Sequence, residues 1–293
     1  MTEFLCSLCP RRCGALRTGT EGGGFCGMPA LPVVARAALH FWEEPCISGT
    51  RGSGTVFFSG CNLGCVFCQN GSISHGRFGR PVTIPRLREI FQELIAQGAH
   101  NINLVTPTHF APAIREALET PLAVPVVWNS GGYELPETLR TLEGKVQIYL
   151  PDLKYADSAL AARYSGAADY FETATAAIRE MFRQVGRCVW DADGVLQRGV
   201  IIRHLLLPGA LENTKAVLDW IAGTFPAGSV LVSLMSQYTP QAGAEGLLRR
   251  KVTGAESRAA RAYMENLGLT AGYYQDSSSA REEYTPPFDL TGV

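Results

Sequence analysis

The chain has 293 residues, of which 46% are hydrophobic and 18% charged, and its formal net charge is −1. This length provides one sizeable core and a small appendage. Because no block of like charge occurs, neither a nucleic-acid nor a membrane partner is expected. No apolar run reaches the roughly 20 residues that cross a bilayer, and no secretory signal pattern opens the chain. We therefore expect a cytoplasmic protein.

The cysteines are distributed unevenly: eight of the nine precede residue 70. In a reducing compartment, clustered cysteines serve metals or redox chemistry rather than structural disulfides. The first four, Cys6, Cys9, Cys13 and Cys26, form a C-x₂-C-x₃-C-x₁₂-C run, with Cys46 as a candidate fifth ligand. The run predicts a second metal site. It fits either zinc in a structural knuckle or an iron–sulfur cluster that relays electrons.

From residue 55 onward, short β-branched or apolar runs alternate with longer segments of helical spacing, which is typical of βα units. Most of the short runs are apolar on both faces, so they predict a parallel sheet covered by helices. The six predicted strands span 55–59, 101–105, 124–128, 146–150, 199–206 and 229–235. Helices are predicted over 85–97, 111–119, 136–142, 157–164, 171–185, 211–223 and 255–267. The pattern fits a doubly wound sheet or part of a barrel.

The first predicted strand leads into a C-x₃-C-x₂-C triplet at Cys61, Cys65 and Cys68. The loop after a strand is where a βα barrel has its active site. Three thiolates on so short a loop can hold three corners of a cubane iron–sulfur cluster and leave the fourth iron without a protein ligand. A zinc site completed by His75 or a distant cysteine is the alternative.

The triplet, with Phe67 before its last cysteine, resembles the C-x₃-C-x-aromatic-C signature of the radical S-adenosylmethionine (SAM) superfamily. The resemblance implies an α/β fold with a partial (β/α)₆ barrel. It also implies a [4Fe–4S] cluster on Cys61, Cys65 and Cys68, whose open iron binds SAM. Reductive cleavage of SAM then yields a 5′-deoxyadenosyl radical that abstracts hydrogen. Phe67 is expected in the cofactor site.

Further motifs resemble the activating-enzyme branch, typified by pyruvate formate-lyase activating enzymes. The segments GCNLGCVFCQN, NLVTPTH, WNSGGYE, YLPDLKY, RHLLLPG and LMSQYTP all fall at or just after predicted strand ends. This resemblance implies anaerobic activation of a glycyl radical protein, with an electron donor such as flavodoxin or ferredoxin. The alternatives are a radical SAM enzyme acting on a small molecule or another peptide, and more remotely a zinc-binding interaction protein without catalysis.

The resemblance also assigns candidate cofactor residues to the ends of the second and third strands. Val-Thr-Pro-Thr-His stands where the family carries Gly-Gly-Glu, so Thr106 and Thr108 are expected to accept hydrogen bonds from the SAM ammonium. A structural turn with Thr108 as helix N-cap is the alternative. Asn129 and Ser130 suit contacts with ribose hydroxyls or the carboxylate, against the alternative of an ordinary turn.

The remaining candidates lie on the fourth and fifth strands. Asp152 and Lys154 resemble the Asp-x-Lys pair of activating enzymes: Lys154 is expected to meet the SAM carboxylate, and Asp152 to orient it or a substrate group. A strand-end ion pair is the alternative. Arg203 and His204 must point to opposite faces of their strand. By resemblance we expect His204 inside the barrel, which makes Lys154 and His204 the candidate catalytic residues. A hydrogen-bonded core histidine is the alternative.

These motifs divide the chain into three parts. We expect residues 1–50 to form a Cys-rich metal-binding segment, residues 51–240 the core that resembles radical SAM enzymes, and residues 241–293 a C-terminal helix and tail.

Overall fold

The amino-terminal cysteines lie in loops beside the main sheet. In this computed structural model, residues 3–275 and 285–293 are described. Strands β1 (Phe4–Leu5) and β2 (Leu16–Arg17) pair antiparallel. The connection between them carries Cys6, Cys9 and Cys13, and Cys26 lies in a later turn. None of these four cysteines belongs to a strand.

A mixed sheet of ten strands forms the centre of the fold. Within the described residues, seven strands run parallel in the spatial order β12-β11-β10-β8-β7-β6-β4. They are β4 (Ser53–Phe58), β6 (Ile102–Val105), β7 (Val126–Ser130), β8 (Ile148–Pro151), β10 (Leu196–Leu205), β11 (Leu231–Met235) and β12 (Gly272–Gln275). β3 (Val33–His40) pairs antiparallel with β4, and β5 (Arg80–Pro81) with β3. β9 (Val189–Trp190) pairs antiparallel with β10. The edge strands β5 and β12 do not pair with each other, so the barrel is open on one side.

Nine helices are found in the described residues. They are α1 (Pro45–Ser48), α2 (Gly71–Ser74), α3 (Ile84–Ala96), α4 (Ala111–Ala117), α5 (Pro136–Arg140), α6 (Ser158–Ser165), α7 (Tyr170–Val185), α8 (Leu211–Thr224) and α9 (Gly254–Asn266). Apolar side chains of the longer helices form one large buried cluster with those of the strands. Side-chain caps begin three of these helices: Thr83 accepts from Arg86 N, Asp157 caps α6, and Thr253 forms a capping box with Glu256.

The predicted α/β fold with a partial parallel barrel is confirmed. The six predicted strands and seven predicted helices all occur, with bounds that differ by at most three residues. Four strands of the sheet, β3, β5, β9 and β12, were not predicted, and β5 and β9 have only two residues each. β12 has only four residues and begins with Gly272, a residue type depleted in strands, so its sequence is too short to show a clear strand pattern. β3 lies within the first 50 residues, so that part of the chain contributes an edge to the sheet as well as the cysteine loops.

The carboxy-terminal residues cover the outer edge of β3. Leu290 N donates to Ala35 O at 3.0 Å, and Ala37 N donates to Thr291 O at 2.8 Å. Phe288 packs edge-on against Phe57 with ring centroids 5.4 Å apart. The predicted tail thus packs on the core from residue 285 onward, and its earlier part lies outside the described residues. Among the described helices, none has the length and hydropathy that crossing a bilayer requires.

Candidate active site

A cavity of about 720 Å³ lies at the carboxyl ends of the parallel strands. Its walls come from the segments that follow β4, β6, β7, β8 and β11, together with Arg203 and Leu205 of β10. Because the carboxyl ends of parallel strands meet at one edge, residues far apart in sequence converge here. The segment 40–49 bounds the cavity from the opposite end.

The loop after β4 carries three of the cysteines into this cavity. A side chain at Gly60, where φ is +78°, would approach Met28 Cγ to 2.4 Å, so the turn that begins the loop requires glycine. Each sulfur accepts one hydrogen bond. Leu63 N donates to Cys61 Sγ at 3.3 Å, Ser165 Oγ to Cys65 Sγ at 3.0 Å, and Ser74 Oγ to Cys68 Sγ at 3.3 Å. Donors of this kind stabilise thiolate and tune the potential of a cluster bound to it.

Burial disfavours the ionisation of two of the three thiols, Cys61 and Cys65, and a bound metal would compensate for this. Burial raises the pKa of Cys65 to about 12 and also raises that of Cys61, while Lys154 opposes the shift at both. Buried thiols resist ionisation unless a metal compensates the charge. In residues 3–275 and 285–293, no three Cys, His, Asp or Glu side chains converge on a point where one metal ion would bind. The sulfurs around a cubane stand farther apart, because each binds a different iron.

Asp152, Lys154 and Arg203 form a charged network in the same cavity. Lys154 Nζ donates to Asp152 Oδ2 at 2.5 Å, and Arg203 Nε donates to Asp152 Oδ1 at 3.0 Å. Burial alone would raise the pKa of Asp152, but Lys154 and Arg203 outweigh it and hold that pKa below its usual value. Burial alone would lower the pKa of Lys154, but Asp152 and Cys65 raise it. Both groups are therefore charged at neutral pH, and Lys154 presents a fixed cation beside the cysteine loop.

Thr106, Asn129 and Ser130, three of the candidate cofactor residues, line the cavity. Thr106 has a positive φ of +59°, and its N–H donates to Asn129 O at 2.8 Å. The Asn129 side chain accepts from Arg203 Nη2 at 2.6 Å. The Ser130 hydroxyl donates to Glu134 Oε2 at 2.7 Å, so it braces its own loop as well as the cavity wall.

Thr108 lies away from the cavity, which corrects its assignment to the SAM ammonium. It is 2% exposed, and its hydroxyl donates to Glu134 Oε1 at 2.8 Å. Glu134 also accepts from Trp128 Nε1 at 2.7 Å and thereby ties the end of β7 to the turn after β6. Thr108 is the first residue of a 3₁₀ turn (Thr108–Phe110) between β6 and α4, so the alternative of a structural turn fits, although Thr108 does not cap the helix. The bracing role of Glu134 was not predicted.

His204 lies outside the barrel, and Arg203 takes the place in the cavity that was expected for it. The His204 side chain is fully buried, with Nδ1 at 2.6 Å from Leu153 O and Nε2 at 2.9 Å from Thr214 Oγ1 of α8. Burial lowers its pKa to about 4, so the ring is neutral. The alternation along β10 was predicted correctly, but the choice of inward residue was wrong. His204 is the hydrogen-bonded core histidine of the alternative.

Phe67 lines the cavity at 7% exposure. Its ring packs edge-on against Tyr155, Tyr164 and Tyr238, with centroid distances of 6.3 to 6.4 Å. These aromatic rings make one wall of the cavity apolar beside the cysteine loop. Such a wall excludes water from the place where a reactive intermediate would form.

The N-terminal cysteines face one another near the loop of the triplet. Burial raises the pKa of Cys9 to about 11, and Cys6, Cys26 and Cys13 add to the shift. Cys13 is exposed, whereas the other three are buried. The thiols thus lie close enough to influence one another's ionisation, although no three of them converge on a single metal position.

Arg11 connects this site to the loop of the triplet. Its guanidinium donates to Asn62 O at 2.9 Å, Leu63 O at 3.2 Å and Ser165 O at 2.8 Å. The same group lies 4.0 Å from the ring centroid of Phe25. Nothing in the local sequence marks Arg11, because its partners come from distant parts of the chain.

The arrangement of cysteine loop, charged pair and partial barrel agrees with the comparisons with known proteins. The family model of the radical SAM superfamily matches residues 55–220, more than half of the chain. The chain belongs to the radical SAM superfamily. It is therefore an enzyme, and the family's [4Fe–4S] cluster and SAM are its implied cofactors. The three thiols of the cavity, each with its hydrogen-bond donor, are a donor set that fits such a cluster.

Two kinds of relative were found for this radical SAM protein. An uncharacterised protein of Methanocaldococcus jannaschii is 30% identical over 246 residues, which cover 80% of this chain but 66% of that protein. About a third of that relative thus lies outside the match. Among solved structures, the hydrogenase maturase HydG superposes with a TM-score of 0.53 at 13% identity, covering 79% of this chain and 53% of that one. At that identity the likeness concerns the fold alone.

Two further solved structures are similar to this chain with lower scores. Methylornithine synthase (PylB) has a TM-score of 0.48 at 15% identity, covering 75% of this chain and 70% of that one. A domain of pyruvate-formate lyase-activating enzyme from Bacteroides vulgatus has a TM-score of 0.37 at 16% identity, covering 66% of this chain and 91% of that domain.

Proposed function

We propose that this radical SAM enzyme is of the glycyl-radical-activating type and belongs to a group resembling the pyruvate formate-lyase activating enzymes. One observation carries the proposal: the three-cysteine loop and the Asp152–Lys154 pair line a single cavity. The Asp-x-Lys spacing is the feature by which the sequence resembles activating enzymes. The open side of the barrel supports the proposal, because a peptide loop could enter there.

The residues of the cavity would have three roles: binding the cluster, binding SAM and excluding water. Cys61, Cys65 and Cys68 would hold the cluster. Lys154, kept charged and in place by Asp152, would bind the SAM carboxylate, and Asn129 would contact the ribose. When bound, the cluster and SAM supply a 5′-deoxyadenosyl radical. The apolar wall around Phe67 would keep water from it.

The substrate step removes one hydrogen atom from a glycine of a partner protein. The glycine Cα–H bond breaks, hydrogen joins C5′ to form 5′-deoxyadenosine, and the unpaired electron remains on Cα. One electron from a donor such as flavodoxin or ferredoxin balances the cleavage, with methionine as the second product. The substrate must therefore bring a glycine close to the cysteine loop.

Electron paramagnetic resonance tests the activating role. The anaerobically reconstituted enzyme would be reduced and incubated with SAM and candidate glycyl radical proteins. We expect a glycine-centred signal with one partner, and stoichiometric 5′-deoxyadenosine. Cys65→Ala should abolish both, whereas Cys188→Ala, a cysteine outside the cavity, should not. No glycine signal with any partner, together with hydrogen abstraction from a metabolite or another peptide, would contradict the proposal and favour that alternative.

We further propose that Cys6, Cys9, Cys13 and Cys26 bind a second metal, as an iron–sulfur relay or as structural zinc. The mutual effect of the four thiols on ionisation supports a shared site. Metal analysis decides its nature: about eight iron atoms per chain indicate two cubanes, and about four with one zinc indicate a zinc knuckle. Four iron atoms and no zinc would contradict a second site. Cys9→Ala should leave part of the SAM cleavage intact.

A further inference from the structure

The segment after β3 forms the floor of the cavity. His40, the last residue of β3, pairs with Ser53, the first residue of β4, so the chain leaves β3 at the amino-terminal edge of the parallel strands. It then enters the barrel, where Cys46 and Ile47 of α1 belong to an apolar cluster with residues of β7, β8, β10 and β11. Asn101 Nδ2 donates to Ile47 O at 2.7 Å and holds α1 in place.

Two consecutive glutamates of this floor line the cavity, and their surroundings differ. Glu43 is fully engaged: it accepts from Asn103 Nδ2 at 3.0 Å and Asn129 Nδ2 at 3.3 Å, and lies 3.4 Å from Arg203 Nη1. Glu44 is 1% exposed, and its Oε2 has no hydrogen-bond partner among the described residues. No ion pair within 4.0 Å is formed by Glu44 in that part of the chain.

A second acceptor of the barrel interior is also left without a partner. Asn103 Oδ1 of β6 is buried and has no hydrogen-bond partner in the described part of the chain, and the Ser233 hydroxyl of β11 is buried beside Glu44. Asn103 contacts Glu43, and Ser233 acts on the ionisation of Glu44, so both lie near the floor. A carboxylate oxygen and an amide oxygen can only accept hydrogen bonds. Buried acceptors without donors are unfavourable, and a ligand that donates would satisfy them.

The charges around the floor favour a cation. With all five groups ionised, Glu43, Glu44 and Asp152 outnumber Lys154 and Arg203 by one negative charge. Burial raises the pKa of Glu44 against the opposing charge of Arg203, so a bound cation would favour its carboxylate form. Arg203 is already paired with Asp152 and Glu43. A positively charged donor group would balance the excess and meet the open acceptors together.

We propose that Glu44 is a specificity-determining residue that binds an ammonium or guanidinium group of the substrate. The proposal rests on the function proposed above and adds the substrate class of the same cavity. The rim toward the floor carries Phe41 and Trp42, which are 51% and 57% exposed. Their rings suit the alkyl stem of such a group. A lysine or arginine side chain of a peptide and a free amine share this chemistry.

Binding of matched probes tests the assignment without any turnover. The anaerobically reconstituted enzyme with SAM would be titrated calorimetrically with n-pentylammonium and with 1-pentanol, which differ in the charged donor. We expect the cation to bind at least about tenfold more tightly, and Glu44→Gln to remove the preference. Glu116→Gln, at an exposed site on α4, should retain it. Equal affinities in the wild type, binding of neither probe, or an unchanged preference in Glu44→Gln would overturn the assignment.

A second pair of probes distinguishes the sources. The capped tripeptide Gly-Lys-Gly and its norleucine analogue would be titrated in the same way. Preference for the lysine peptide supports a peptide substrate, whereas preference shown only for the free amine supports a metabolite; both outcomes keep Glu44 as the cation site. Because no SAM cleavage is needed, an enzyme that forms no glycyl radical can still pass this test, and an active enzyme can still fail it.

Discussion

At the scale of single residues, neighbouring groups keep Lys154 charged and fix its position in the cavity. Asp152 holds its ammonium, and Arg203 holds the other oxygen of that carboxylate. The carboxylate is thus shared by two cations, so Lys154 can still donate to a second anion. A SAM carboxylate next to the cysteine loop would be that anion.

Replacing Lys154 with Met tests this role. Loss of a charge-assisted hydrogen bond of about 1.5 to 3 kcal/mol should lower kcat/KM for SAM cleavage by about 10- to 100-fold. Initial rates of 5′-deoxyadenosine formation with dithionite as reductant, measured over a range of SAM concentrations, give the value. Lys215→Met removes a lysine that pairs with Glu212 on the surface of α8 and serves as the control. A Lys154→Met enzyme within threefold of the control would exclude a role in binding SAM.

At the scale of elements, the N-terminal segment is joined to the cysteine loop chiefly by Arg11. Its bonds reach the loop after β4 and the end of α6 at once. The Ser165 hydroxyl, at that same end of α6, donates to Cys65. Arg11 therefore couples the order of the N-terminal cysteines to that of the cluster loop.

Arg11→Ala should loosen both elements together. We expect amide hydrogen exchange to become about tenfold faster over residues 4–17 and 61–68, since charge-assisted bonds worth about 1.5 kcal/mol or more are lost. Iron release to a chelator should accelerate in parallel. Arg12→Ala is the matched control, because Arg12 is exposed and pairs only at the surface with Glu137. Faster exchange in the N-terminal segment alone would show that the two elements are independent.

At the scale of the whole molecule, His204 links the sheet to α8 and makes stability depend on pH. Burial lowers its pKa to about 4 from the usual value of 6.5 for a histidine. The unfolded chain takes up a proton below about pH 6.5, whereas the folded chain does not until about pH 4. The stability that neutral His204 contributes is therefore complete above pH 6.5 and is lost as the pH falls toward 4.

His204→Gln isolates this contribution. At pH 7.5 the variant should be less stable than the wild type by about 1 to 3 kcal/mol, since Leu153 O or the Thr214 hydroxyl loses its partner. Between pH 6.5 and 5 that difference should shrink by about 1.5 kcal/mol, because only the wild type carries the titrating group. Urea denaturation at each pH measures it, with His75→Gln at an exposed site as the control. Unchanged stability of His204→Gln together with a raised KM for SAM would instead show that His204 acts in the cofactor site.

The sequence by itself determined the α/β class, the order of the strands and helices, and the cysteine loop. Those features depend on neighbouring residues: apolar runs of strand length, helical spacing, and three thiols within eight positions. The segment 33–49 escaped prediction because it joins the sheet antiparallel at an edge and enters the barrel from the amino-terminal side. No local pattern states where such a segment will pack.

Only the tertiary structure decided which polar residues face the cavity. Strand alternation shows that Arg203 and His204 separate, but the inward side depends on the partners that each finds, Asp152 and Asn129 for one and Thr214 for the other. The same holds for Thr108, whose hydroxyl donates to Glu134 and does not face the cavity. It also holds for Glu44, which lies at the floor only because β3 runs antiparallel to β4. A side chain's role in a site follows from contacts between distant segments, and these exist only after the chain has folded.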